Sequence, residues 1–202
     1  MIRRGLLALV IFLSFQLRTA AQSSFTLEQV MSAPFPANLT ASKTGGRVAW
    51  TLDQQGRRNI WVAEAPGFHV RQLTHSDTDE GQPLSDLHFS SDSNVLVYVR
   101  GEGKNAAGQS PNPTSNTAGF EQSVWSIAWT GGEPKKLDAG DSPQISPAGT
   151  VAYIKDHQLW MAKLDASENP YQIVVRGNSA DPQWSPDGTK LAFVSSRTDH
   201  AF

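Results

Sequence analysis

The chain has 202 residues, about the size of one domain with an appendage. Seventeen basic and nineteen acidic residues give a net charge of −2, which excludes the strongly basic surface typical of nucleic-acid-binding proteins. Cysteine is absent, which excludes disulfides, thiolate nucleophiles and cysteine-based metal sites. Sixteen glycines and twelve prolines favour short strands and many turns over a helical bundle.

Residues 1–21 have the three-part pattern of a secretory signal peptide. The basic pair Arg3-Arg4 precedes an apolar run over residues 5–17, and Thr19-Ala20-Ala21 supplies small residues for cleavage before Gln22. The run is shorter than the roughly 20 residues of a transmembrane helix, so an uncleaved anchor is the weaker alternative. Cleavage leaves fourteen basic and nineteen acidic residues, a net charge of −5. We therefore expect an exported protein, periplasmic or secreted, with no nucleic-acid partner and no stable membrane insertion after cleavage.

Residues 22–41 are predicted to form a lead-in segment to the main domain. Phe25 to Met31 is predicted as a short helix, because Thr26 is a good N-cap and Gln29 stands three residues later, as in a capping box. The prolines from Pro34 onward are expected to end this helix.

From Ser42 onward the sequence repeats a turn followed by an apolar strand. The clearest copy runs from Ser185 to Lys190, with the sequence Ser-Pro-Asp-Gly-Thr-Lys, and weaker copies begin at Ser42, Ser90 and Ser146. Proline at the second position of a type I turn presets φ, and Asp and Gly suit the positions that follow. The β-branched and aromatic residues after each turn indicate a strand.

Three further predicted strands follow each turn and first strand, and the last of them leads into the next turn. The second strand has a tryptophan at its third position in three copies (Trp61, Trp125 and Trp160). The unit starts lie 48, 56 and 39 residues apart, and four strands in about 40 residues are typical of a β-propeller blade. Residues 101–122, rich in Gly, Asn, Ser and Pro, are predicted to be a polar insert in the second blade.

The predicted fold is therefore all-β. It is a partial β-propeller over residues 42–202, with about three complete four-stranded blades and the start of a fourth, and with blades starting near residues 42, 90, 146 and 185. A β-sandwich also has short strands and regular turns. It would not, however, place the same turn and the same tryptophan at matching points of successive units.

The segment from Trp184 to Ser195 resembles the WD-like blade motif of TolB-type propellers and of the N-terminal propellers of prolyl oligopeptidase-family serine peptidases, which include dipeptidyl and acylaminoacyl peptidases. The segment from Ser196 to Phe202 is similar to the loop that follows this strand in bacterial peptidases of the family. The resemblance covers residues 42–202. Two features favour the peptidases: TolB-type proteins have a sizeable α/β domain where this chain has residues 22–41, and the polar insert resembles the decorated blades of secreted peptidases.

This resemblance implies a non-catalytic propeller that gates the access of small peptides to a C-terminal α/β-hydrolase domain absent from this chain. The chain stops within a blade, so we expect it to be part of a longer protein. The alternative is a TolB-like periplasmic propeller that binds protein partners. The nucleophile elbow G-x-S-x-G of such hydrolases is not present, because Gly108–Asn112 and Gly177–Asp181 lack the second glycine. No catalytic residue, cofactor or metal ligand is therefore assigned.

The other polar candidates are weaker. Asp77–Gly81 gathers three carboxylates that could hold Ca²⁺, but the further ligands of an EF-hand are missing, and an acidic surface loop is the favoured interpretation. Arg57-Arg58 is interpreted as a charged hairpin turn. The histidines have no zinc-binding spacing, and a role of His200 paired with Asp199 is less expected than a structural or solvated one. The five histidines are His69, His75, His88, His157 and His200.

The repeat also sorts the tryptophans. Trp61, Trp125, Trp160 and Trp184 occupy repeated positions and are expected to pack between blades. Trp129 lies outside the repeat, near Gly131-Gly132, and is the tryptophan least explained by packing. An aromatic side chain at an exposed edge could instead bind a sugar or a peptide.

Overall fold

The structure is a computed structural model that describes residues 25–105, 107–109, 120–197 and 200–201. The predicted signal peptide, residues 1–21, lies outside the described residues. The chain divides into two compact units, Met1–Ala33 and Pro34–Phe202. In the part that the structure describes, no helix is long and apolar enough to cross a membrane.

The described part of the first unit holds the short helix α1 (Leu27–Met31). The predicted capping box is confirmed: Gln29 N donates to Thr26 Oγ1 at 3.1 Å, and Thr26 N donates to Gln29 Oε1 at 3.0 Å. These two bonds satisfy backbone and side-chain groups that a helix start otherwise leaves open. The helix ends before Pro34, as its sequence predicts.

In the second unit, the described residues form fifteen strands in four antiparallel sheets. Within each sheet the strands follow one another in chain order, as in an antiparallel meander. The first sheet contains β1 (Phe35–Ala41), β2 (Arg47–Gln54), β3 (Arg57–Glu64) and β4 (Arg71–Gln72), and the second contains β5 (Leu84–Phe89), β6 (Val95–Arg100), β7 (Ser123–Ala128) and β8 (Lys135–Ala139). The third contains β9 (Asp141–Ile145), β10 (Thr150–Lys155), β11 (Gln158–Lys163) and β12 (Tyr171–Gln172), and the fourth contains β13 (Asn178–Trp184), β14 (Leu191–Arg197) and β15 (His200–Ala201).

Each sheet begins one strand earlier than the turn-based units. The strand before each repeated turn pairs with the strand after it, so the turns near residues 42, 90, 146 and 185 lie inside a sheet. Phe35–Ala41, predicted as lead-in, is therefore the first strand of the first sheet. The fourth sheet has three strands in the described residues. Each sheet begins before its repeated turn because antiparallel strands joined by a tight turn pair with each other.

The serine that starts each repeat closes its turn with two hydrogen bonds. Ser90 N donates to Val95 O at 2.8 Å, and Val95 N donates back to Ser90 Oγ at 3.0 Å. The same reciprocal pair forms at Ser42, Ser146 and Ser185, where the hydroxyl accepts at 3.0, 2.9 and 3.0 Å. The repeated serine is thus explained by its side chain, which satisfies the first amide after the turn.

Three apolar cores lie between successive sheets. Ile60 and Val62 of the first sheet share a core with Leu96 and Tyr98 of the second, and equivalent cores join the second sheet to the third and the third to the fourth. The first strands β1, β5, β9 and β13 also contact one another in succession. The sheets therefore pack face to face around a row of first strands, which confirms the predicted partial β-propeller.

The tryptophan predictions have mixed outcomes. Trp125, Trp160 and Trp184 pack against the cores between sheets, as predicted. Trp61 is half-buried on the face of the first sheet that no described sheet covers. The prediction for Trp129 was wrong: it is 8% exposed and belongs to the core between the first and second sheets. Its ring centroid lies 5.9 Å from that of Phe89, and this packing accounts for its burial.

Candidate functional site at the first strands

The first strand of every sheet carries a β-bulge at the same place. Two residues of the first strand stand opposite one aromatic residue of the second strand, and the earlier of the two has a φ of 50° to 54°. Asn and Asp enter this left-handed region more readily than most residues because their short side chains bond locally. The bulges are Asn38-Leu39 opposite Trp50, Asp86-Leu87 opposite Tyr98, Ser142-Pro143 opposite Tyr153, and Asp181-Pro182 opposite Phe193.

The two residues of each bulge have different surroundings. Leu87 is 5% exposed and Pro143 and Pro182 are below 2%, whereas the preceding polar residues Asp86 and Asp181 are exposed. The bulge thus buries an apolar residue and leaves a polar one at the surface of the first-strand row. Leu39 is the exception at 75% exposed, because no described sheet covers its side of the first sheet.

Hydrogen bonds cross between neighbouring first strands and fix this row. Asn38 Nδ2 donates to Leu84 O at 2.8 Å, which links β1 to β5. Trp184 Nε1 donates to Gln144 O at 3.1 Å, which links β13 to β9. Ser179 N donates to the carbonyl of His157 at 2.7 Å and ties β13 to the β10–β11 turn. The wall formed by the first strands is therefore held by polar contacts as well as by apolar packing.

The row has an acidic character, and burial acts on its ionisable groups. Burial raises the pKa of Asp141, and the nearby Asp86 carboxylate raises it further, while Ser142 and His157 oppose the shift. Burial lowers the pKa of His88, against the attraction of Asp86. Both shifts favour the neutral form. Asp86 and Asp181 are exposed, so the row can offer carboxylates to a cationic group.

A cleft of about 280 Å³ lies between the first and second sheets. Arg58 and Arg100 line it, and each binds a carboxylate of the loop after β4: Arg58 Nη1 lies 3.5 Å from Asp79 Oδ1, and Arg100 pairs with Glu80. Arg58 Nε also lies 3.1 Å from Asp53 Oδ2. Two carboxylates of Asp77–Gly81, those of Asp79 and Glu80, thus point to different arginines. In the described residues no group of three His, Asp or Glu side chains could hold a metal ion.

The other candidates lie apart from one another. Gly177–Asp181 runs from the loop before β13 into that strand, so it is not a strand-to-helix elbow. Gly108–Asn112 lies partly outside the described residues, as does Asp199. The sequence analysis missed the bulges, although a signal existed, since a polar–apolar pair starts four residues before every repeat serine. Of the histidines, His69 lies in the β3–β4 loop, His75 lines the cleft, His88 lies in β5, His157 lies in the β10–β11 turn and His200 lies in β15.

Comparison with known proteins supports the fold and leaves the family open. No family model matches the chain. A protein TolB homologue of Chlorobium luteolum is 24% identical over 153 residues, which are 76% of this chain and 32% of the relative. The acylaminoacyl peptidase of Pyrococcus horikoshii has a TM-score of 0.57 at 13% identity, with 80% of this chain and 28% of that chain covered.

Two further solved structures have similar scores. An oligogalacturonate lyase in complex with manganese has a TM-score of 0.55 at 16% identity, with 81% of this chain and 47% of that chain covered. TolB of Acinetobacter baumannii has a TM-score of 0.51 at 12% identity, with 84% of this chain and 39% of that chain covered. The chain thus spans 28% to 47% of the length of these relatives, which include TolB and peptidase propellers. At these identities the likeness shows the propeller fold alone.

Proposed function

We propose that this chain is the substrate-gating propeller portion of an exported serine peptidase of the prolyl oligopeptidase family, with the hydrolase domain supplied by sequence outside this chain. The observation that carries the proposal is the row of first strands, which presents exposed carboxylates along the side where the blades meet. The likeness to the acylaminoacyl peptidase and to a prolyl endopeptidase structure, with TM-scores of 0.57 and 0.56, supports the choice of family.

The gating role follows from rigidity and charge. A wall cross-linked by Asn38, Trp184 and the His157 carbonyl resists widening, so it restricts passage to small peptides. Carboxylates such as Asp86 and Asp181 attract the free amino terminus of a peptide, because opposite charges attract over about 10 Å at moderate ionic strength. In this role the chain itself carries no nucleophile, base or oxyanion donor and binds no cofactor.

Two measurements test this proposal. The coding sequence beyond the codon for Phe202 should contain an α/β-hydrolase domain with a G-x-S-x-G elbow, and the purified chain 1–202 should hydrolyse aminoacyl or peptidyl esters no faster than a blank. Further blades followed by a stop codon would contradict the first expectation. Turnover by the purified chain would contradict the second.

The gate itself can be tested in the product of the whole reading frame. Asp86→Asn should lower kcat/KM for dipeptide esters with a free amino terminus and leave acetylated esters unaffected. Asp187→Asn, at an exposed turn carboxylate, is the matched control and should change neither. An equal loss for free and acetylated substrates would rule out the role of charge.

Export is tested separately. The mature protein recovered from the periplasm or the medium should begin at Gln22, which an intact-mass measurement identifies. A mature chain that retains Arg3-Arg4 would favour the membrane anchor.

The second candidate is a TolB-like propeller that binds protein partners. The sequence match to the TolB homologue, 24% identical over 153 residues, favours it. It predicts further blades and no hydrolase domain beyond Phe202, so the same reading of the coding sequence separates the two candidates.

A further inference from the structure

Trp129 lies between the first and second sheets in contact with two arginines. Its ring centroid is 4.6 Å from the guanidinium carbon of Arg47 and 4.8 Å from that of Arg71, and Arg71 also donates a hydrogen bond to the Trp129 carbonyl. Arg47 belongs to β2 and Arg71 to β4, whereas Trp129 directly follows β7. The cluster is therefore built by both sheets.

The two arginines differ in how far their charge is neutralised. Arg47 Nε lies 2.7 Å from Glu64 Oε1, and its Nη1 donates to the Ser93 carbonyl at 2.7 Å. The Arg71 guanidinium forms no ion pair among the described residues, and its one side-chain hydrogen bond there is the bond to the Trp129 carbonyl. Burial lowers the pKa of Arg71, with Glu64 acting against the shift. Among the described residues, most of its five N–H donors therefore have no acceptor, and the cation that carries them is partly desolvated.

The free face of Arg71 opens into a pocket of about 400 Å³. Ala63, Ala65 and Pro66 provide apolar walls, and His69 and Trp129 add two ring systems. Gly67 lets the histidine ring close over the backbone, since a Cβ at this position would lie 2.8 Å from His69 Nε2. The pocket thus combines a guanidinium without a direct ion pair among the described residues, an imidazole and a largely apolar lining.

We propose that this pocket binds a monoanionic carboxylate carried on a small apolar or aromatic body, with Arg71 as its anchor. A guanidinium matches a carboxylate with two parallel hydrogen bonds, and the walls suit an apolar body. A phosphate dianion fits less well, because a single guanidinium faces it and the Glu64 carboxylate at the pocket wall repels it. This proposal does not depend on the peptidase function.

Benzoate, benzamide and inorganic phosphate are the probes, titrated into the full chain and followed by calorimetry and by NMR shifts of the Trp129 indole. Benzoate should bind, and benzamide and phosphate should bind more weakly. Arg71→Gln should weaken benzoate binding by about tenfold or more, since a hydrogen bond to a charged group is lost. Arg57→Gln, which removes an exposed arginine at the start of β3, is the matched control and should leave binding unchanged.

N-acetylphenylalanine and galacturonate then separate two sources of the carboxylate, and the apolar walls predict that N-acetylphenylalanine binds more tightly. Absent benzoate binding, equal binding of benzamide, tighter binding of phosphate, or full binding by Arg71→Gln would each overturn the proposal. If Arg71→Gln does not fold, Arg71→Lys decides the question. It keeps the charge without the planar fork, and benzoate binding should fall severalfold; unchanged binding would refute the role of Arg71.

Discussion

Asp138 joins the second sheet to the third, and its removal should loosen that interface. Its carboxylate accepts a hydrogen bond from Tyr153 Oη at 2.6 Å and pairs with Lys155 Nζ at 2.8 Å. Burial acts to raise the pKa of Asp138, but the hydrogen bonds from Lys155 and Tyr153 outweigh it and hold the pKa below its ordinary value. Tyr153 itself is fully buried.

The magnitude follows from the two lost partners. In Asp138→Ala the buried hydroxyl of Tyr153 has no acceptor, which costs about 1–3 kcal/mol, and a charged hydrogen bond worth about 1.5–3 kcal/mol is lost. Lys155 is partly exposed and regains water, so the losses do not add in full. We expect a total of about 2–4 kcal/mol, equivalent to roughly 25- to 700-fold faster exchange of the β10 amides where exchange follows opening of this interface.

Hydrogen exchange measured residue by residue is the assay, because it reports local opening even where the chain does not unfold as one unit. Tyr153→Phe and the double variant complete a thermodynamic cycle, which should reveal a coupling of about 1–2 kcal/mol. Asp165→Ala, which removes an exposed turn carboxylate, is the control and should leave β10 unchanged. Strict additivity of the two single substitutions, or unchanged exchange in Asp138→Ala, would refute the reasoning.

The remaining predictions concern pH, strain and closure. The contribution of Asp138 should be present above the unfolded pKa of about 3.9 and lost as pH falls through its lower folded pKa, and Asp138→Asn should remove this step from an acid titration of β10 exchange. The stability of β5 should decline below the unfolded histidine pKa of about 6.5, because burial lowers the folded pKa of His88 and the unfolded chain then binds more protons; His88→Gln should abolish this slope. Asp181→Val should destabilise the fourth sheet by about 1–2 kcal/mol, since its backbone is left-handed, whereas Asp181→Gly should not, as exchange of β13 amides would reveal. The isolated chain should lack a single cooperative thermal transition, because Leu39 and Trp50 lie on an uncovered sheet face, and a cooperative monomeric melt would contradict this.

Local features, including their hydrogen bonds, could be predicted from the sequence. The capping box of α1 and the serine-started turns involve residues three to five positions apart, so spacing alone specifies their hydrogen bonds. The apolar strands and three of the four repeated tryptophans follow from the same short-range patterns. These local patterns were sufficient to identify a propeller.

The sheet boundaries and the environment of Trp129 depend on tertiary contacts. A periodic sequence does not tell where a unit begins, because the strand before a turn can be counted with either neighbour. Trp129 is buried because Arg47, Arg71 and Phe89 surround it, and these residues are distant from it in sequence. The arginine cluster was missed for the same reason.

The bulges place a limit on how this repeat can change in length. Every bulge starts four residues before its repeat serine, although the units themselves are 48, 56 and 39 residues long. Removal of one residue from a bulge would shift the register of the rest of that strand by one residue, so that its side chains would point to the opposite face of the sheet. Buried positions such as Leu87 would then exchange with surface positions. Insertions and deletions are therefore compatible with the outer loops and incompatible with the short segment between bulge and serine, so the repeat has a fixed inner frame and a variable periphery.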